Sequence, residues 1–261
     1  MSSDAVSFAS SNHIAVITIN RAKRMNRLDA HIVSGLETAW TRFMNSDDDR
    51  VAILTGDGTS FSAGADLKAI PHDLFRAIPS IGVPVDKPVV AAIKGWCVGG
   101  GMVLTTMCDI LVAAEDALFS YPEVKIGFSG GLISTLACRI PHKIAMDLLL
   151  TGDPITAERA YEVGYVNKLV PADDVMDTAM DYAERIAAQA PLPSRMLKRF
   201  VAEAIPKGPT EIAGIARAQV NAINASDDGV EGVAAFMEHG RQNFKENSPY
   251  NGSLMFSVMG R

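Results

Sequence analysis

The first half of the chain alternates short apolar runs with one stretch in which apolar residues recur at helical spacing. Four runs have the length and composition of strands, and they cover residues 14–20, 51–55, 88–93 and 109–114. Between the first two runs, the helical pattern consists of Leu28, Ile32, Leu36, Ala39 and Phe43. Asp29 is placed for the first turn of this helix. The succession of strand, helix and strand predicts an α/β core.

From residue 144 onward the pattern becomes helical. Apolar residues recur three or four positions apart in five stretches, which cover residues 156–163, 173–190, 193–204, 210–224 and 227–244. Prolines and polar residues separate these stretches, as at Pro191. We therefore expect two regions, an α/β core over residues 1–195 and a helical region over residues 196–261.

Composition and charge exclude several classes of function. The net charge is −6 and no run of lysine and arginine forms a polybasic stripe, so nucleic acid is not an expected partner. The longest apolar runs are far shorter than a membrane span, and no export signal is visible. Together with three scattered cysteines, Cys97, Cys108 and Cys138, this predicts reduced core thiols in a cytoplasmic protein without a membrane partner. The five histidines lack metal-ligand spacing, so we expect no metal.

Two glycine-bearing loops carry the candidate chemistry, and each is predicted to lie between an apolar strand and a helix. The first covers residues 62–66, and the second is Gly99-Gly100-Gly101. Glycine lets the backbone approach a ligand closely, and a helix start presents unpaired N–H groups. If the loops meet, these groups would hold a developing oxyanion, and Glu123 of the Tyr-Pro-Glu sequence at 121–123 would supply a movable proton. Asp66 is expected to cap the helix after the first loop.

A second interpretation is a hydrolase. Residues 127–131 formally match the G-x-S-x-G nucleophile elbow, with Ser129 as the nucleophile and His142 and His239 as candidate triad partners. The elbow requires a buried strand before it, and the proline and charged residues at 122–125 disfavour one. No GK[ST] sequence ends either glycine loop, which excludes a P-loop.

Several short motifs stand in a fixed order along nearly the whole chain: Asn20-Arg21, Asn26-Arg27-Leu28, residues 61–67, 87–95 and 98–101, Cys108-Asp109-Ile110, Pro122-Glu123, Leu150-Thr151-Gly152, Val166-Asn167 and Glu231-Gly232. In this order they resemble the crotonase (enoyl-CoA hydratase/isomerase) superfamily. The resemblance implies a spiral of ββα turns and a C-terminal helical region that builds a homotrimer or a dimer of trimers. It also implies a coenzyme A thioester as the substrate, with no separate cofactor.

The resemblance also assigns roles to single residues. It implies that the backbone N–H groups of Ala65 and Gly100 form an oxyanion hole for the thioester carbonyl, and that Glu123 moves a proton at C2 or C3 of the acyl group. Further positions that it places at the substrate or at coenzyme A are Arg24, Ala63, Asp66, Lys68, Val103, Phe128 and Phe236.

One departure from the family's pattern bears on the reaction. Typical hydratases of the family carry a second glutamate at the position of Val103, whose side chain can neither hold a water by charge nor exchange a proton. A single glutamate therefore favours double-bond isomerisation over hydration of an enoyl-CoA, within fatty acid metabolism. Three alternatives stay open: a hydratase that holds its water with a group from residues 67–86, a thioesterase that uses Ser129, and a catalytically silent acyl-CoA binder.

Overall fold

The computed structural model describes residues 5–71, 73–127 and 131–205. Apart from residue 205, they belong to one compact unit that ends at Ala204. The strands are β1 Val6–Ser11, β2 Ile14–Ile19, β3 Val51–Gly56, β4 Val89–Ile93, β5 Trp96–Val98, β6 Ile110–Ala114, β7 Leu118–Ser120, β8 Ile155–Thr156 and β9 Lys168–Val170. The helices are α1 Ala30–Asn45, α2 Gly100–Thr106, α3 His142–Thr151, α4 Ala157–Glu162, α5 Val175–Ala187 and α6 Pro191–Ala204.

The strands form two sheets. In the six-stranded sheet the order is β1-β2-β3-β4-β6-β9; β1 is antiparallel to β2, and every later pair of neighbours is parallel. In the three-stranded sheet β5 pairs parallel with β7, and β7 pairs antiparallel with β8. The chain thus leaves β4 of the large sheet for β5 of the small one, continues into α2 and returns to β6. The predicted mixed α/β class is confirmed.

The apolar runs form the centre of the large sheet, as predicted. Every residue of β4 is buried, and so are the first four of β3. These strands carry apolar side chains on both faces because the sheet is packed against helices: α5 contacts β3, β4 and β6, and α1 contacts β1 and β2. Asp29 caps α1 as expected, since its Oδ1 accepts hydrogen bonds from the N–H groups of His31 and Ile32, both at 3.0 Å.

The sequence patterns missed β1 and the short strands β5, β7, β8 and β9. Strand β1 lies at the edge of the large sheet, and its Ser-Phe-Ala-Ser-Ser sequence over residues 7–11 is mostly exposed. The other four contain two or three residues each. Such segments are too short to show an alternation, and only the neighbouring strand makes them β-structure.

The first glycine loop is not followed by a helix, so the predicted cap at Asp66 is wrong. Asp66 Oδ1 accepts a hydrogen bond from the N–H of Lys68 at 3.1 Å, and the Asp66 carbonyl accepts one from Ala69 at 3.0 Å. These two bonds close an isolated turn. Pro71 explains why the turn does not continue as a helix, because proline has no N–H and disfavours the helical conformation of the residue before it.

The described residues of the segment 67–86, which shows no regular pattern in the sequence, are hydrogen-bonded to α1. They contain a 3-10 turn at Leu74–Ala77, and the indole N–H of Trp40 donates to the last carbonyl of that turn at 2.8 Å. Arg76 pairs with Glu37 of α1, its Nε donating to Glu37 Oε1 at 2.9 Å. The segment is thereby held as a wall beside the loops.

The predicted boundary after residue 195 falls inside α6, while the compact unit continues to Ala204. Most of the predicted C-terminal helical region, residues 206–261, lies outside the described residues. Cys97 and Cys108 are buried as expected, whereas Cys138 is exposed and is not a core thiol. None of the helices in the described ranges is long and apolar enough to cross a bilayer.

Candidate functional site

The first glycine loop is held by hydrogen bonds to Leu28 that leave the N–H group of Ala65 pointing away from Leu28. Leu28 donates its N–H to the Gly64 carbonyl at 2.8 Å, and its own carbonyl accepts from Asp66 at 3.0 Å. In this parallel bridge the peptide N–H of the residue between them, Ala65, points to the opposite side. Asn26, buried beneath the loop, fixes its approach by donating from Nδ2 to the Ser60 carbonyl at 2.7 Å.

The first loop is also joined to the strand that leads into the second. Ser62 donates its N–H to the Trp96 carbonyl at 3.0 Å, and the Ser62 carbonyl accepts from Val98 at 2.9 Å. Gly64 has φ +82°, and a Cβ on it would lie 2.8 Å from the Val98 carbonyl oxygen. Only glycine permits this approach, which brings the two loops into contact.

The second loop supplies the matching N–H group at the start of α2. Gly99 donates its N–H to the Ser120 carbonyl at 2.9 Å, and Gly100 is the first residue of the helix. A Cβ on Gly100 would lie 3.9 Å from the nitrogen of Ala65, so the two backbone groups are neighbours. Within the part of the chain that the structure describes, neither N–H group has a hydrogen-bond acceptor. The predicted pair of oxyanion-hole donors is therefore brought together.

Glu123 faces the same point from a 3-10 turn at Pro122–Ile126, directly after β7. A Cβ on Gly99 would lie 2.8 Å from Glu123 Oε1, so the carboxyl group fills the space that this glycine leaves open. The residue is 9% exposed, and its Oε2 has no hydrogen-bond partner among the described residues. Burial disfavours the charged form and raises the pKa of Glu123 to about 7. A group with this pKa can both accept and return a proton near neutral pH.

A cavity of about 290 Å³ opens between the loops and the wall formed by residues 67–86. It is lined by Ala65, Ile70, Pro71, Leu74, Phe75, Gly100, Val103, Tyr121, Glu123 and Leu132. Among the described residues that line the cavity, only Glu123 has an ionisable carboxyl group. The aliphatic and phenyl side chains around it explain its desolvation. A larger groove of about 660 Å³ lies between β1 and α1 and contains none of the predicted site residues.

The structure places the remaining predicted residues at different distances from the cavity. Val103 lines it, whereas Ala63 of the first loop does not and donates its N–H to the Met25 carbonyl at 2.8 Å. Asp66 is buried beside the cavity, with its Oδ1 3.6 Å from the Arg27 guanidinium. Arg24 and Lys68 are exposed, and neither lines the cavity.

Several predicted residues cannot be placed. Phe128, Ser129, Phe236 and His239 lie outside the described residues, and His142 is exposed at the start of α3. In the described ranges no group of three histidine, cysteine or carboxylate side chains has the arrangement of a metal site.

Sequence reasoning missed the apolar wall of the cavity. Leu74 approaches the second loop closely enough that its Cδ2 would lie 3.1 Å from a Cβ on Gly100. Phe75 comes from the same 3-10 turn, and Leu132 comes from a separate one at Leu132–Cys138. Neither turn has a periodic pattern, so the sequence held no signal for their place in the site. A carboxylate or amide to hold water, which the hydratase alternative sought in residues 67–86, is not in the described lining.

Comparison with known proteins shows that this chain is similar to members of one enzyme family. The sequence profile described as Enoyl-CoA hydratase/isomerase matches residues 9–247. An (E)-benzylidenesuccinyl-CoA hydratase of Thauera aromatica is 39% identical over 201 residues, covering 72% of this chain and 78% of that protein. A probable enoyl-CoA hydratase of Mycobacterium bovis is 34% identical, covering 86% of this chain and 91% of that protein.

Two solved structures are similar in fold as well as in sequence. An enoyl-CoA hydratase from Mycobacterium tuberculosis superposes with a TM-score of 0.74 and 36% identity, over 93% of this chain and 99% of the other. A carnitinyl-CoA dehydratase from Mycobacterium avium has a TM-score of 0.73 and 33% identity, over 94% and 100%.

Proposed function

The chain belongs to the enoyl-CoA hydratase/isomerase family, the crotonase superfamily, and we propose that it isomerises the double bond of an enoyl-CoA thioester with Glu123 as its single acid/base. The observation that carries this proposal is the set of chemical groups that line the cavity. Its described lining offers one carboxyl group beside two unpaired backbone N–H donors. Val103, at the position where the family resemblance implies a second glutamate, adds no proton-transfer group. One carboxylate is sufficient to move a proton between two carbons.

In the proposed reaction the thioester carbonyl oxygen of a 3-enoyl-CoA accepts hydrogen bonds from the N–H groups of Ala65 and Gly100. The carboxylate of Glu123 takes a proton from C2, and the resulting dienolate carries its negative charge partly on that oxygen. The protonated Glu123 then returns the proton to C4, which leaves a 2-enoyl-CoA and a carboxylate. The two N–H groups bind the charge that develops, and one such donor typically contributes about 10²–10³ in rate.

The polarity of the cavity also indicates which class of acyl group the substrate carries. Its side chains are aliphatic or aromatic except for Glu123, whose raised pKa reflects the scarcity of solvent around it. A carboxylate on the acyl group of the substrate would lose its hydration in the cavity and would repel the Glu123 carboxylate. We therefore propose an uncharged, apolar acyl group. Contacts of Arg24, Lys68 and Phe236 with coenzyme A, contact of Phe128 with the acyl group, and assembly into a homotrimer or a dimer of trimers are proposals that rest on the family resemblance.

Hydration of a 2-enoyl-CoA is the second candidate, because the relatives at 39% and 34% identity are named hydratases. In that reaction Glu123 alone would have to orient the water, take its proton and return one to C2. Adding a second carboxylate to the site by mutation should therefore raise hydration activity without being needed for isomerisation.

The test is an ultraviolet assay of the conjugated thioester, with 2-enoyl-CoA and 3-enoyl-CoA as separate substrates. The proposal predicts a gain of absorbance from the 3-enoyl substrate that is lost in Glu123→Gln. Val103→Glu is expected to shift activity toward hydration of the 2-enoyl substrate, whereas the uncharged control Val103→Gln is not. Rapid loss of absorbance from the 2-enoyl substrate, with no turnover of the 3-enoyl substrate, would overturn isomerisation in favour of hydration.

The same assay separates the remaining alternatives. A thioesterase would release free coenzyme A, detectable with a thiol reagent, and Ser129→Ala would abolish the release. A silent binder would retain affinity for acyl-CoA without turnover, and Glu123→Gln would leave that affinity unchanged.

A further inference from the structure

We propose that Tyr165 is a positioning residue that holds α2 against β7 and thereby sets the spacing between the Gly100 N–H and the Glu123 carboxyl group. The inference rests on the proposed function only for the effect on turnover. The element that needs positioning is α2, because it carries both Gly100 and Val103 into the cavity.

Helix α2 has little stability of its own. It contains seven residues, Gly100–Thr106, and no side chain caps its N-terminus. Isolated helices shorter than about 12–15 residues are marginal in water, and two glycines and two threonines in this sequence lower its helix propensity further. All seven residues are buried. The orientation of α2 must therefore be fixed by contacts with the surrounding structure.

The hydroxyl group of Tyr165 makes such contacts at the C-terminal half of α2. It lies 2.9 Å from Thr105 Oγ1, 2.9 Å from Thr106 Oγ1 and 3.2 Å from the Met102 carbonyl oxygen. The two threonine hydroxyls donate to that same carbonyl, at 3.0 and 2.8 Å. The cluster is buried, so its hydrogen bonds have no competition from water. Burial also raises the pKa of Tyr165, which keeps the phenol neutral and able to donate.

The ring of Tyr165 contacts the strand that leads into the turn with Glu123. It packs edge-on against Phe119, with ring centroids 5.4 Å apart and an interplanar angle of 89°. Phe119 is the middle residue of β7, and the 3-10 turn with Glu123 begins two residues after that strand. Tyr165 itself is anchored by donating its N–H to the Ala160 carbonyl of α4 at 2.8 Å. The side chain of Tyr165 thus contacts both α2, which carries Gly100, and β7, which leads to Glu123.

The first test uses Tyr165→Phe, which deletes the hydroxyl group and keeps the ring against Phe119. We expect kcat to fall about 10-fold or more, because small misplacements of catalytic groups are costly, while KM changes less than about 2-fold. The matched control is Thr55→Val, which removes a hydroxyl-to-carbonyl hydrogen bond of 3.0 Å between β3 and β4. It should lower the melting temperature without lowering kcat. Unchanged kcat in Tyr165→Phe, with a lowered melting temperature, would overturn the positioning role.

A double-mutant cycle identifies the route of the effect. If Tyr165 acts through α2, Tyr165→Phe and Thr106→Val should reduce kcat non-additively, since each removes part of one network. Additive losses would contradict a shared route.

A second measurement does not depend on the reaction. Backbone hydrogen exchange over residues 100–106 should be faster in Tyr165→Phe than in wild type and unchanged in Thr55→Val. Faster exchange in a protein that proves inactive on every enoyl-CoA would sustain the structural inference while refuting the proposed function. Unchanged exchange would refute the inference whatever the activity.

Discussion

Glu123 owes its chemistry to its surroundings rather than to its residue type. A glutamate in water titrates near 4.5, whereas burial raises the pKa of this one to about 7. Its Oε2 meets no donor in the described residues, and the desolvation outweighs the backbone hydrogen bond at Glu123 that favours the charged form. The same side chain at the surface would be a weak base at neutral pH. Buried beside Gly99 and Gly100, it is poised for proton transfer.

The first prediction concerns the pH dependence of catalysis. Because the carboxylate must accept the proton from C2, kcat/KM should rise with pH and level off above about 7. Glu123→Gln cannot accept a proton and should lower kcat/KM by about 10²–10⁴ at pH 8. The matched control is Glu115→Gln, an exposed carboxylate after β6, which should leave the profile unchanged. A rising limb centred near 4.5 would show that Glu123 is hydrated in the free enzyme.

The second prediction concerns stability. Since the folded-state pKa is raised, the folded protein binds more protons than the unfolded chain between about 4.5 and 7, and stability falls as pH rises through that window. At pH 8 the wild type carries a buried charge whose desolvation exceeds its stabilisation by hydrogen bonding, and Glu123→Gln should be more stable by about 1–3 kcal/mol. At pH 4 the difference should nearly vanish. Thermal unfolding at both pH values tests this, and a mutant that is less stable at pH 8 would contradict it.

At the scale of elements, the site is a junction between two loops and one 3-10 turn, and glycines set how closely they approach. Gly99 has φ +54°, and a Cβ on it would lie 2.8 Å from Glu123 Oε1. Any other residue would be strained and would displace the carboxyl group. The glycine pattern in the sequence predicted a close approach, but not that the approaching group is the acid/base itself.

The third prediction follows from that contact. Gly99→Ala should lower kcat/KM by about 10²-fold, because the new methyl group moves Glu123 away from the oxyanion-hole donors. The control is Gly58→Ala, which also has a positive φ of +80° and a Cβ that would lie 2.9 Å from the Cβ of Ala22, a residue outside the cavity lining. Both variants should lose melting temperature through backbone strain. Equal activity losses in the two would mean that strain, and not displacement of Glu123, causes the effect.

At the scale of the whole molecule, α6 leaves an apolar face uncovered in the compact unit. Its exposed apolar side chains are Leu192, Met196, Leu197, Phe200 and Val201. A contiguous apolar face of this kind is typical of an interaction surface. The family resemblance implies a trimer or a dimer of trimers, and this face is consistent with burial on assembly.

The fourth prediction concerns that assembly. Sedimentation velocity at micromolar concentration should give a mass of three or six times the 27.8 kDa chain. Phe200→Glu should weaken the assembly, because it places a charge on the apolar face of α6. The control Glu203→Gln, on the same helix, should not. A monomeric wild type would contradict the expectation.

The sequence by itself determined the elements whose signal is local and strong. The apolar runs of β3 and β4 and the periodic face of α1 require burial, and Asp29 can satisfy the first N–H groups of a helix without help from elsewhere. The two glycine loops were recognisable from their glycines, and Glu123 from its place after them and from the family resemblance.

Only the tertiary structure decided features that depend on residues distant in the chain. It showed that Asp66 closes a turn and not a helix, that Leu74 and Leu132 line the cavity, and that Tyr165 contacts both α2 and β7. It also gave Glu123 its raised pKa, since desolvation is a property of neighbours and not of residue type. Hydrophobic periodicity reports which face of an element is buried, whereas the partner that buries it is fixed when the chain folds.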